Sequence, residues 1–197
     1  MSGANGPSLA DHLGATIQTD SRFFPRSGPL LFFLPIAALV IALASSNLVL
    51  LDYVHVMTGG MWTGIDIFMG IFGRTVMIKI SPPSRVEVSK RLTPTMLFLM
   101  PSIAAVATTA GYMLASKLSL WILSSPYIIA TIIVVLILLV QGFGILLPNE
   151  LRVFKEIRRE NPDTDKIVKL SMRNLNVSGS QAIFQIVIIY IMANLTF

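Results

Sequence analysis

Four side chains able to do chemistry stand in a single apolar run: Asp52, His55, Trp62 and Asp66. Ionisable residues inside a bilayer are costly and mark functional sites by default. Helical geometry tightens the cluster. His55 and Trp62 lie seven residues apart, about 20° short of two full turns, and His55 and Asp66 lie eleven apart, about 20° past three. Gly59, Gly70 and Gly73 fall within about 60° of the same line. One face therefore displays Asp52, His55, Gly59, Trp62, Asp66, Gly70 and Gly73, with Ile65, Phe68 and Ile71 toward the sides and back. Two readings compete for that face. In one, the glycines allow close helix contact and the polar groups bond to neighbouring helices. In the other, the face lines a cavity: glycines let a flat ligand approach the backbone, Trp62 offers a stacking surface, and His55 is an iron or copper ligand. Asp66 lies about 16 Å deeper than His55, so the two cannot hold one metal. They can serve two ends of a large cofactor, or successive steps of a proton path.

The elements that must position this face are membrane helices. The chain is 54% hydrophobic and 13% charged, with mean hydropathy +0.74, a membrane composition. Its apolar runs cover roughly 29–44, 48–78, 93–116, 124–148 and 172–196. Fourteen of the fifteen Lys and Arg residues fall into alternate connections, with Lys117 alone on the other side. The positive-inside rule then predicts five transmembrane helices, an all-α bundle in the cell membrane with the N-terminus cytoplasmic and the C-terminus outside. The expected organisation is a cytoplasmic arm over 1–28, without the apolar core of a signal peptide, and a five-helix transmembrane domain over 29–197. The basic residues sit where topology requires them, so the pI near 9.8 argues for contact with anionic lipid and not for nucleic acid. With no Cys, disulfides, thiolate metal sites and thiol redox chemistry are excluded.

Along the chain, Ser8–Gln18 reads as a short surface helix, and Pro35 bends the first span. Residues 30–78 as one helix would measure about 73 Å against a hydrocarbon core of about 30 Å, so Ser45-Ser46-Asn47 must turn the chain. Ser81-Pro82-Pro83-Ser84 stops the second helix, and Pro94 or Pro101 opens the third. Ser124-Ser125-Pro126 opens the fourth, which meets Pro148 and gives way to a charged, amphipathic stretch over 149–161. Pro162-Asp163-Thr164-Asp165 then caps the fifth helix.

Polar partners for the central face are few. Asn174, Ser178, Gln181 and Gln185 repeat at spacings of four, three and four, one face of the fifth helix. The third helix offers Thr108, Thr109 and Tyr112, and the fourth Gln141. Ten Met residues invite a copper reading, since thioether suits Cu(I). They form no tight Met-x-x-Met cluster and serve equally as packing. No phosphate-binding loop, zinc-protease motif or Ser-His-Asp layout occurs.

The run from His55 through Trp62 to Gly64 resembles the H-x6-W-x-G pattern that opens the core of small bacterial membrane proteins of the CopD copper-resistance and HemJ protoporphyrinogen-oxidase kind. Thr108-Thr-Ala-Gly111-Tyr is similar to a T-G element of their next core helix. The resemblance implies His55 as a haem b or metal ligand with Trp62 as its neighbour. This chain departs from the pattern in having no second intramembrane His and in carrying Asp66. Three functions are therefore expected in turn. One is a redox protein holding haem b, or copper, through His55, with Gly59, Trp62 and Asp66 around the cofactor. Another is a non-catalytic subunit, assembly factor or homo-oligomer within a larger membrane complex, its helices joined through Gly60-x-x-x-Gly64. The third is proton or solute movement along the His55–Asp66 face, for which no second acid is visible to continue the path.

Overall fold

The computed structural model describes residues 28–195, and the arm over 1–27, with its expected short helix, lies outside them. The described chain is all-α, with no strand. It forms five helices: α1 (Gly28–Ala44), α2 (Leu48–Lys79), α3 (Pro82–Lys117), α4 (Pro126–Ile157) and α5 (Thr164–Ala193). Helices α2 to α5 are each long and apolar enough to cross a membrane. At 17 residues, α1 is shorter, about 26 Å at the helical rise. Large apolar side chains point outward all along the bundle, among them Phe33, Val49, Leu136 and Ile183. In water that surface would drive aggregation, whereas in lipid it is the solvent-facing surface.

The local chemistry explains the boundaries. The turn after α1 is the expected one. Ser46 takes the left-handed conformation at φ 54°, and Asn47 Oδ1 accepts from the backbone N–H of Val49 at 2.9 Å and of Leu50 at 3.2 Å. That caps two of the orphan donors at the start of α2. Beside the break that Pro35 makes in α1, Ser102 of α3 donates to the Phe32 carbonyl at 2.6 Å. Asp163 caps α5 by accepting from the Lys166 N–H at 2.9 Å.

One helix start and one helix end differ from expectation. The pair Pro82-Pro83 opens α3 as well as ending α2, because proline at the first helical positions forfeits no hydrogen bond. Pro94 and Pro101, expected to start the span, lie inside it. The fourth helix likewise does not give way at Pro148 but continues to Ile157. Pro148 falls just past a π-helical turn, Gly142–Leu146, where the regular hydrogen-bond ladder is already interrupted. A second π-helical segment, Phe68–Gly73, lies in α2 directly after Asp66.

Helices α3 and α5 form the centre, with α1 against α3 and α2, and α4 against α5. Three apolar clusters stack along the bundle. Leu39, Leu51, Val54, Val106 and Leu114 join α1 to α2 and α3. Trp62, Ile103, Ala107, Leu138 and Ile188 fill the middle. Val86, Val153, Ile157 and Ile167 close the far end. Every Lys and Arg among the described residues except Lys117 sits at that far end, on the joined ends of α2–α3 and α4–α5. There Glu156, 2% exposed, accepts from Lys166 at 2.7 Å and Arg159 at 3.2 Å, holding the α4–α5 turn.

Candidate functional site

The face predicted on α2 exists, and α3 and α5 divide it into parts with different uses. His55 Nδ1 lies 2.9 Å from the Ala107 carbonyl of α3. A carbonyl only accepts, so Nδ1 carries the hydrogen, which in the neutral ring leaves the lone pair on Nε2. The Cε1 edge of the ring lies against Gly111, where a Cβ would come within 2.7 Å of His55 Cε1 and 3.1 Å of Nδ1. Gly111 is thus the residue that admits the imidazole between α2 and α3. His55 lines a cavity of about 360 Å³ together with Asp52, Gly59, Trp62, Thr108 and Met192. A Cβ on Gly59 would meet nothing within 4 Å, so this glycine widens the cavity and packs against no helix.

Gly70 and Gly73 serve the other reading. A Cβ on Gly70 would overlap the backbone of Gly179, and one on Gly73 would reach 3.3 Å from the Leu175 side chain. They bring α2 and α5 into close contact inside the π-helical segment. The closeness has a purpose on the same face, because it brings the polar stripe of α5 up to Asp66.

Asp66 is fully buried and belongs to neither cavity wall. Gln185 Nε2 donates to its Oδ2 at 2.9 Å. Ser178 and Trp62 bring two more donors up to the carboxyl without full hydrogen-bond geometry, so Oδ1 has no partner. The whole stripe expected on α5 is buried: Asn174, Ser178, Gln181 and Gln185 are each less than a tenth exposed. Gln181 donates to the Leu138 carbonyl at 3.0 Å, and Gln141 to Ser180 at 3.3 Å. Of the three candidates on α3, only Thr108 lines the His55 cavity, while Thr109 and Tyr112 face outward.

A second cavity, of about 270 Å³, opens toward the basic end. Trp62 lines it as well as the first, and Ser178, Gln181, Asn174 and Glu150 supply its polar wall. Glu150 was missed in the sequence, which reads there as a polar connection. Continuation of α4 past Pro148 carries it inward, where Oε1 accepts from Asn174 at 2.8 Å and Oε2 has no partner. Asn174 in turn accepts from Asn149 at 2.9 Å.

As a metal site the structure offers little beyond His55: among the described residues no three of His, Cys, Asp or Glu converge. Met57 and Met61 face outward. A haem asks less of the protein, namely one axial nitrogen, apolar walls and room. Here His55 offers the nitrogen and Trp62, Gly59, Val135, Leu138 and Ile188 offer mainly apolar walls, with Met192 in the same wall. Compared with known proteins, the chain matches no family model, no curated protein and no solved structure.

Proposed function

We propose that this is a redox protein of the cell membrane that binds haem b through His55 in the cavity between α2, α3 and α5. The observation that supports it is the hydrogen bond that holds His55 against α3. Its Nδ1–H is committed to the Ala107 carbonyl, which leaves Nε2 as the ligating nitrogen at a cavity whose walls are mainly apolar. Histidines that bind a metal are commonly held in this way, through a backbone carbonyl on the other ring nitrogen that sets ring orientation and ligand basicity. The cavity lies within the range of about 300–1,000 Å³ usual for small-molecule sites. Haem, when bound, supplies one-electron chemistry. The chain supplies the axial nitrogen, the indole of Trp62 beside the ring, and Asp52 at an exposed position of the same wall. Copper is the weaker candidate, because His55 has no converging set of thioether or imidazole donors. Five spans with the N-terminus in the cytoplasm fit the clustering of the basic residues at one end. The test is the haem content of protein purified from a haem-replete host. Stoichiometric haem with a Soret band is expected, and a colourless preparation would overturn the reading.

A second reading, a subunit or oligomer of a larger membrane complex, is favoured by a separate observation. Gly60 and Gly64 are exposed on α2, with Gly60 also at the rim of the His55 cavity, and a Cβ on either would meet nothing within 4 Å. A Gly-x-x-x-Gly pair on which no other helix of the chain packs suits the close approach of a helix from outside. Mass measurement after gentle detergent extraction tests this. A stable monomer without a co-purifying chain would contradict it.

A further inference from the structure

Asp66 stands at a divide. Its hydrogen-bond partner Gln185 lines the His55 cavity, its neighbour Ser178 lines the Glu150 cavity, and Trp62 lines both. We propose that Asp66 is a proton-carrying carboxyl between the two cavities and that Glu150 receives its proton on the basic side, making the bundle a proton conduit. The inference stands whether or not a cofactor binds at His55.

Three observations carry it. The first is the sign of what is missing around these groups. Among the described residues six buried side-chain oxygens lack a protein partner: Asp66 Oδ1, Thr131 Oγ1, Gln141 Oε1, Gln181 Oε1, Gln185 Oε1 and Glu150 Oε2. All but the Thr131 hydroxyl can only accept, so the interior around Asp66 calls for hydrogen donors. A proton on Asp66 Oδ1 turns one of these acceptors into a donor, which has unpartnered amide oxygens on α5 to serve.

The second is the lack, among the described residues, of any cation beside Asp66. On α2 the nearest titratable groups are His55, Tyr53, Asp52 and Arg74. On α3 none but the outward Tyr112 occurs between Arg91 and Lys117. On α4 only Tyr127 and Glu150 precede Arg152 at the basic end, on α5 only Tyr190 lies beyond Arg173, and α1 contributes none. Arg74 is exposed and donates to Asn176 at 2.8 Å. An ionised Asp66 would thus be an unpaired charge in the hydrocarbon region, which membrane helices retain only for function.

The third is a route. Along α5, Ser178 beside Asp66 and Asn174 bonded to Glu150 are one helical turn apart, about 6 Å. The Glu150 cavity, about 270 Å³, covers that step and has room for several water molecules at about 30 Å³ each. The proton leaves Asp66 Oδ1–H for a water in this cavity, and that hydronium protonates the Glu150 carboxylate. A hydronium on the His55 side then reprotonates Asp66, and Glu150 gives its proton to water at the basic end, so one proton enters and one leaves. Asp66 itself touches neither cavity, so a hydrated ion has no room there, whereas a proton needs none. Exchange with each side requires Trp62 or Gln185 to turn, next to the π-helical segment of α2, a local irregularity frequent at functional sites.

The test is proton flux into liposomes containing the purified protein and an internal pH dye, driven by a potassium diffusion potential. The wild type should acidify the lumen faster than empty liposomes, and Asp66→Asn should fall to the empty-liposome rate. Glu150→Gln, whose site lies a turn away, should also lose most of the flux and provides a check if Asp66→Asn folds poorly. Replacing sodium by choline should leave the wild-type rate unchanged. Wild-type flux no greater than that of empty liposomes, Asp66→Asn or Glu150→Gln conducting like the wild type, or a flux that requires sodium would each overturn the proposal.

Discussion

Gly111→Ala separates the binding role of His55 from the stability of the bundle. The added Cβ would lie 2.7 Å from His55 Cε1, against the 3.4 Å at which ordinary contact begins, so the ring must retreat by at least about 0.7 Å. Ala107 is one turn before Gly111 on the same helix, so the retreat also carries Nδ1 away from its carbonyl. A bond of 2.9 Å lengthened by that much reaches about 3.6 Å and ceases to be a hydrogen bond. Its loss costs about 1 kcal/mol. Alanine in place of glycine within a helix returns about the same amount. Net stability should therefore change little. Loss of the carbonyl that orients a ligating histidine typically lowers metal affinity by about 10–100-fold. The assay pairs haem titration, followed at the Soret band, with thermal unfolding in the same detergent. Expected are weaker haem binding and a melting temperature close to that of the wild type. Unchanged affinity would refute the placement of His55, and affinity lost only together with stability would refute the argument that Gly111 acts through the ring.

Other substitutions test the packing. Gly70→Ala should destabilise by about 1–3 kcal/mol, since its Cβ meets the Gly179 backbone. Gly60→Ala, with open space around it, should stabilise the isolated chain by about 0.5–1 kcal/mol. The difference in melting temperature between the two variants checks this pair. Asn174→Leu removes the partner of both Asn149 and Glu150 and should cost about 1–3 kcal/mol, read from chemical denaturation in micelles. Glu156→Gln removes the carboxylate that binds Lys166 and Arg159. Amide hydrogen exchange across 158–166 should rise while exchange in the middle of α3 stays as in the wild type.

The helices and the central face were legible in the sequence because lipid imposes long apolar runs and because polar residues at spacings of four, three and four can share only one helical face. The stripe from Asn174 to Gln185 and the turn at Ser45-Ser46-Asn47 followed from those constraints. The extension of α3 back to Pro82 and of α4 beyond Pro148 was not legible. Polar ends of membrane helices carry no hydropathy signal, and a proline ends a helix or sits within one according to where neighbouring hydrogen bonds are already absent. Glu150 was missed for that reason, and with it the second acid of the interior. The uses of the glycines also needed three dimensions. Spacing puts Gly59, Gly70 and Gly73 on one side of α2, but only the approach of α5 near Gly179 shows that two of them pack while the first borders open space.

The binding of a cofactor by His55 is tested most directly by chemical rescue. His55→Gly protein purified from a haem-replete host should lack the wild-type Soret band, and added imidazole should restore it as the free base takes the vacated ligand position. Persistence of the wild-type spectrum in His55→Gly without imidazole would contradict the assignment of His55 as the ligand.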